Sequence, residues 1–181
     1  MINVIVFILL SIPILVVSWR SIFSFKNHVL YRFIAWECIL WLFISNILFW
    51  FKDIFSIHQI ISWILLFLSL YPIISGVYLI NKAGKEDNKR EGSLYQFEKT
   101  SELIERGIFK YIRHPLYCSL LILTWGVFLK HLDFLLLSVS LLSSVALFLT
   151  AWIEEKENIR YFGEKYREYM KKTKMFIPYV L

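Results

Sequence analysis

Glycine and proline are scarce in this chain, 6 and 4 in 181 residues, and cysteine occurs only twice. A turn-rich β-barrel or a low-complexity segment would need more of the first two, and no internal repeat points to a solenoid. Cys38 and Cys118 fall in or beside apolar stretches without partners at metal-ligand spacing, which predicts two buried thiols and no metal site. No glycine-rich dinucleotide fingerprint occurs, and no Lys or Arg lies between Lys130 and Lys156. The first 19 residues lack the basic start and the small-x-small end of a cleaved signal.

Apolar side chain, in contrast, is abundant. The composition is 58% hydrophobic and 18% aromatic, with a mean hydropathy of +0.60, more than a soluble domain of this length can bury. The surplus must face lipid, and an α-helical bundle is the architecture left. Runs at residues 2–19, 33–51, 54–80, 116–129 and 134–153 approach the roughly 20 residues that cross a bilayer as a helix. The fourth is short, which suits a helix that thins the membrane or dips in under the cover of its neighbours. Runs two and three, separated by little more than Lys52 and Asp53, suggest a tight antiparallel hairpin. The reading is an all-α, polytopic integral membrane bundle of about five transmembrane segments. Helices one to three occupy residues 1–81, and residues 82–181 hold helices four and five and a cytoplasmic helical tail.

Charge orients the bundle. All of the 20 Lys and Arg residues except Lys52 and Lys130 fall in the loop after run one, the loop after run three, or the tail. Basic loops stay on the cytoplasmic side, so the N-terminus is expected outside and the C-terminus in the cytoplasm. The net charge of +6 needs no nucleic acid, because anionic headgroups attract basic residues that flank membrane spans. The bilayer is the expected partner, and no obligate protein partner is evident.

Polar chemistry concentrates on that basic side. Residues 94–107 carry Phe97, Ser101, Leu103 and Ile104 at helix-like intervals and predict a short interfacial helix closed by Gly107. Arg113-His114-Pro115-Leu116-Tyr117 follows. Proline belongs in a first helical turn, so helix four is expected to begin at Pro115, with its free N–H groups forming an anion site. Helix five runs into Glu154-Glu155, a carboxylate pair that demands cations or donors nearby. Helical spacing puts Asn158 and Tyr161 on the Glu154 face, and Ile159 and Phe162 on an apolar seam with Glu155. Phe162, Tyr166 and Tyr169 form a stripe that reads as packing.

Together, Gly107-Ile108-Phe109, Arg113-His114-Pro115-Leu116-Tyr117, Glu154-Glu155, Phe162-Gly163, Tyr166, Tyr169 and Pro178 resemble the isoprenylcysteine carboxyl methyltransferase family, which is related to the phospholipid methyltransferases. The likeness covers roughly residues 103–178. It implies methyl transfer from S-adenosyl-L-methionine to a small lipophilic or lipid-like acceptor that enters from the bilayer. It also implies cofactor contacts at Ser101, Glu102, Leu103, Ile104, Phe109, His114, Pro115, Leu116, Tyr117 and Glu154. Asn158 and Ser119 depart from the pattern, and Thr150 stands where eukaryotic carboxyl methyltransferases have an arginine for the substrate carboxylate. Glu155 and His114 are conceivable bases, and Arg113, Lys156 and Arg160 are the cations that could hold an acceptor's charge. The competing classes are an NADPH-dependent membrane reductase of sterol-reductase-like fold and a non-catalytic protein on the same scaffold. The topology predicts that reporters fused in the Lys52 and Lys82 loops lie on opposite sides of the membrane; accessibility of both from one side would refute it.

Overall fold

A computed structural model describes residues 2–22, 28–83 and 102–178, with side chains from residue 28 onward and before residue 20. Its helices are α1 (Ile2–Ile22), α2 (His28–Asn46), α3 (Ile57–Ala83), α4 (Pro115–Phe128), α5 (Phe134–Phe162) and α6 (Glu164–Lys172). Four of them, α1, α2, α3 and α5, are long and apolar enough to cross a membrane, and α4 is a shorter apolar helix. The protein is a multi-pass helical membrane bundle, as its composition requires.

The hairpin expected from runs two and three is a connection without a packing. A turn through Asp53, at φ 49, joins the two helices. Yet α3 packs chiefly on α4, while α2 packs on α5 and on α1. The reason is visible along α3. Ser62, Ser69 and Gly76, seven residues apart, meet Gly126, Ser119 and Pro115 in antiparallel order. Ser62 Oγ donates to the Gly126 carbonyl at 2.6 Å, and Ser119 Oγ donates to the Ser69 carbonyl at 2.7 Å. A Cβ on Gly76 would lie 2.8 Å from Leu116 Cδ1 and 3.1 Å from Pro115 Cγ. Small residues repeating every seven positions let two membrane helices approach closely along a left-handed seam.

The seam is closed at the end away from residue 114. Lys130 is 1% exposed there. Its Nζ donates to Gln59 Oε1 at 3.1 Å and lies 3.6 Å from the centre of the Trp63 ring. Gln59 Nε2 donates to the carbonyls of Phe49 and Lys130, and His131 stacks on Phe49 at 4.0 Å. The residue read as a lone loop cation is thus an internal tie between the turns. Desolvation draws its pKa down to about 8, while the face of Trp63 favours the ammonium.

Three helices start level at this end and finish at different heights. At 1.5 Å per residue, 14 residues make α4 about 21 Å long, against about 40 Å for the 27 of α3 and about 43 Å for the 29 of α5. A hydrocarbon core of about 30 Å therefore takes some 20 residues of α5 and leaves about nine, from Glu154 to Phe162, beyond it. Because α4 is short, α3 and α5 stand above its first residue as walls. This recess holds the site described below.

The seam yields a ranked prediction. A Cβ on Gly126 would stand 3.3 Å from Leu65 Cβ and 3.1 Å from Leu66 Cδ2, and the first of these cannot swing away. Gly126→Val is expected to cost about 1–3 kcal/mol by overpacking, and Ser62→Ala about 0.6 kcal/mol, the mean for an interhelical side-chain hydrogen bond in a membrane. Melting temperatures in detergent should fall in that order; the reverse order would show that the seam is loosely packed.

Candidate functional site

The floor of the recess is the start of α4. His114 is its N-cap, at φ −121 and ψ 65, and Pro115 opens the helix, as its position predicts. The first intrahelical bond runs from Cys118 N to the His114 carbonyl at 2.9 Å, so the N–H groups of Leu116 and Tyr117 precede it and point out of the helix end. The chain before Pro115 is held by the tail. Arg113 N donates to the Lys174 carbonyl at 2.8 Å, His114 N to the Met175 carbonyl at 3.1 Å, and Lys174 N to the Tyr111 carbonyl at 3.0 Å. Ile112 and Lys174 thereby form a parallel bridge, a pairing without a signal in the apolar pattern.

Arg113 locks this arrangement to α5. Its Nε donates to Glu155 Oε1 at 2.6 Å and its Nη1 to the Thr173 carbonyl at 2.5 Å, with both side chains nearly buried. The expected apolar seam around Glu155 is therefore a buried ion pair, because the preceding loop folds back and supplies a guanidinium. Burial alone would raise the Glu155 pKa, but the adjacent His114 and Arg113 outweigh it and hold the carboxyl below its ordinary range. His114 Nε2 lies 3.4 Å from Glu155 Oε1 and is buried without a hydrogen-bond partner among the described residues.

Above this floor lies an open cleft with a cavity volume of about 110 Å³. Glu102, Leu103, Ile104, Phe109, Arg113, His114, Pro115, Leu116, Tyr117 and Glu154 all line it. Ser101 lies outside the described residues. Arg160 is exposed and Glu155 is turned into the ion pair, so neither is among the lining residues. Of the candidates for a base or for holding the acceptor, His114 and Arg113 face the cleft, and Glu155, Lys156 and Arg160 do not.

Three local expectations are corrected. Residues 102–106 are not helical, and the remainder of the expected interfacial helix, 94–101, lies outside the described residues. Gly107 does not end a helix; at φ 59 it opens the 3-10 turn Gly107–Lys110, directly after the extended Arg106. A Cβ there would be 2.6 Å from Leu79 Cδ1, so the left-handed backbone and the close approach to α3 both favour glycine. On α5, Phe162 joins Glu154 and Asn158 on the cleft face instead of the Glu155 side.

Sequence reasoning missed three parts of the wall. Ile80 and Asn158 line it, and so does the aromatic stripe read as packing. Gly163, at φ 62, ends α5 and starts α6 at a new angle, which swings Tyr166 and Tyr169 over the opening. Phe162 stacks on Tyr166 at 6.4 Å, and Tyr169 donates its hydroxyl to the Phe109 carbonyl at 2.6 Å. Burial keeps both phenols neutral by raising their pKa values, for Tyr166 with help from Glu155 and Glu154.

Comparison with known proteins places these features in a family. The family model described as phospholipid methyltransferase matches residues 57–165. Methanethiol S-methyltransferase of Pseudomonas deceptionensis is 34% identical over 74 residues, 39% of this chain and 26% of that protein. Methanethiol S-methyltransferase 1 of Bradyrhizobium diazoefficiens is 28% identical over 72 residues, 40% of this chain and 25% of that protein. The matches thus span about a quarter of the length of these curated relatives. No solved structure matches the chain.

The buried pair makes its own prediction. Removing one partner of a buried ion pair strands the other charge, at a cost of about 3–5 kcal/mol, so Arg113→Ala should lower the melting temperature strongly. Arg113→Lys should recover only part, because a single ammonium lacks the fork that spans Glu155 and Thr173. A carboxyl with a depressed folded pKa contributes stability that is complete above its unfolded pKa and lost as pH falls through the folded one. Acid unfolding of Arg113→Ala should therefore begin at higher pH than in the wild type. Equal acid limbs in the two proteins would show that Arg113 does not hold Glu155 ionised.

Proposed function

Because the chain belongs to the phospholipid methyltransferase family, we propose that it is an S-adenosyl-L-methionine-dependent methyltransferase acting on a small lipophilic or lipid-like acceptor. The observation that carries this reading is one cleft combining a helix N-terminus, a carboxylate and aromatic faces. Those groups fit a zwitterionic, aromatic cofactor. The first turn of α4 suits its carboxylate, Glu154 its ammonium, and Phe109, Tyr117, Phe162 and Tyr166 its adenine or sulfonium. His114 Nε2, buried at the wall without a hydrogen bond among the described residues, is a polar atom that a bound molecule would satisfy.

When bound, the cofactor supplies a methyl already activated on sulfonium, so the protein's task is alignment and exclusion of water. In this reading α3 and α5 form the sides, and the α6 tyrosines with Phe109 form the cover. The cleft opens to the cytoplasm, and the acceptor approaches from the lipid side along Ile80 and Leu116. A carboxylate acceptor would need a cation near the methyl. Thr150 turns its hydroxyl to the Ala146 carbonyl at 2.8 Å, and Arg113 is engaged by Glu155 and Thr173. We therefore favour an acceptor whose reacting head is not a carboxylate, such as a thiol, in keeping with the named activity of the two relatives. The hydride-transfer alternative gains no support, since Arg113 is the one Lys or Arg among the lining residues and it is already paired.

Calorimetry in detergent tests the cofactor assignment. S-adenosylhomocysteine should bind and NADPH should not. Glu154→Gln should weaken binding by about 1.5–3 kcal/mol, the worth of a hydrogen bond to a charged group. An unchanged dissociation constant in well-folded Glu154→Gln protein would remove that residue's role. Methyl transfer from labelled cofactor should favour an alkanethiol over a prenylcysteine carboxylate, and the opposite preference would overturn the acceptor reading.

A further inference from the structure

The seam between α3 and α4 reaches the cleft at Gly76. A Cβ there would meet two residues of the cleft lining, Leu116 Cδ1 at 2.8 Å and Pro115 Cγ at 3.1 Å. The two contacts differ in kind. Pro115 is fully buried at the start of α4, and its ring cannot rotate away from α3. Leu116 is half-buried and presents the far end of a side chain that has other staggered positions. At Gly126, elsewhere on the seam, the opposing atoms belong to Leu65 and Leu66, and neither residue lines the cleft. Ile80, one turn beyond Gly76 on the same face of α3, lines the cleft together with Leu116.

We infer that Gly76 is a specificity-determining residue: by carrying no side chain it gives Leu116 a place against α3, and so keeps room beside Ile80 for the apolar chain of an acceptor. This deepens the reading above and rests on its acceptor path. A Cβ at position 76 takes that place. The backbones cannot part easily there, because Pro115 already fills the space between them, so the Leu116 side chain is the group that yields. It turns toward the cleft that it lines, and bulk displaced from the seam then stands where the acceptor's chain passes. An acceptor with a long chain meets that bulk, and one with a single carbon does not. The proposed cofactor contact of Leu116 is its backbone N–H, which a turn of the side chain leaves in place. Gly76 itself is not among the lining residues and acts through Leu116.

The test compares methanethiol with decanethiol as acceptors for the full-length protein in detergent, alongside binding of S-adenosylhomocysteine. Gly76→Ala should bind S-adenosylhomocysteine as wild type does and turn over methanethiol at the wild-type rate. Its KM for decanethiol should rise about tenfold, the scale of one methylene of misfit in an apolar pocket, with kcat changed far less. Calorimetry of decanethiol on the S-adenosylhomocysteine complex should show the same loss without turnover. Adding Leu116→Ala should restore decanethiol in the Gly76→Ala background. A general loosening of the fold would instead grow worse with that second truncation, so restoration separates the two causes. If Gly76→Ala fails to fold, Leu116→Phe, which brings the bulk from α4, should raise the KM of decanethiol relative to that of methanethiol. Equal effects on both thiols, no effect, a wild type that accepts methanethiol alone, or a loss that Leu116→Ala leaves standing would overturn this inference alone. Wild-type protein that bound no S-adenosylhomocysteine, or methylated neither thiol, would overturn the parent reading and this one with it.

Discussion

The site depends on the shortness of α4. A helix of 14 residues cannot match neighbours of 27 and 29, and the protein spends the difference at one end only. Lys130, Gln59 and Trp63 tie the turns at the other end, and the spacing of Ser62, Ser69 and Gly76 sets the register of α3 on α4 from there. All of the mismatch is thus pushed to the Pro115 end. A helix that begins below its neighbours presents its dipole and its unpaired N–H groups inside a walled, partly desolvated space. An anion there feels both more strongly than at an exposed helix end.

A recess of this kind has to keep its carboxylates charged. Water would do so at an exposed helix exit; here the Arg113 guanidinium, from the loop before α4, does it for Glu155, and His28 of α2 meets Glu157 at 3.0 Å. The tail around Lys174 pairs with residues 111–114 and fixes the loop that delivers Arg113. Each ion pair therefore also joins segments distant in sequence, and the same contacts that neutralise the carboxylates hold the walls together.

How much of this was legible depended on the range of the interaction that decides each feature. The helical membrane class follows from composition, and the start of α4 from the local steric rule at Pro115. Every proposed contact from Glu102 to Tyr117, together with Glu154, falls on one cleft, because those segments flank helix ends whose positions the apolar runs reveal. The environment of Glu155 was not legible, since helical spacing sees only neighbours on α5 and the guanidinium arrives from a loop 42 residues earlier. For the same reason Arg32 was counted in a loop ahead of a helix expected to start at Phe33, although α2 begins at His28 and buries both residues. Phe162, Tyr166 and Tyr169 were seen as a stripe, but one helix cannot turn such a stripe over a cleft. The break at Gly163 does so, and its positive φ depends on the whole chain.

Two halves of the cleft wall obey different rules, and this bears on what the family scaffold can accept. The side proposed for the cofactor is built from charge and backbone donors held by the buried Arg113–Glu155 pair, so single changes there are expected to disturb folding as well as binding. The side proposed for the acceptor is built from Ile80, Leu116 and neighbouring apolar side chains. In such a wall, swaps between hydrophobic residues of similar volume usually cost less than about 1.5 kcal/mol. An apolar wall discriminates weakly between acceptors, about 1–3 kcal/mol per methylene. Strong selectivity must then come from a polar group matched to the reacting head. The lining residues offer no uncommitted Lys or Arg for a carboxylate, so in the proposed reading discrimination falls to how closely the head fits against His114 and Tyr117.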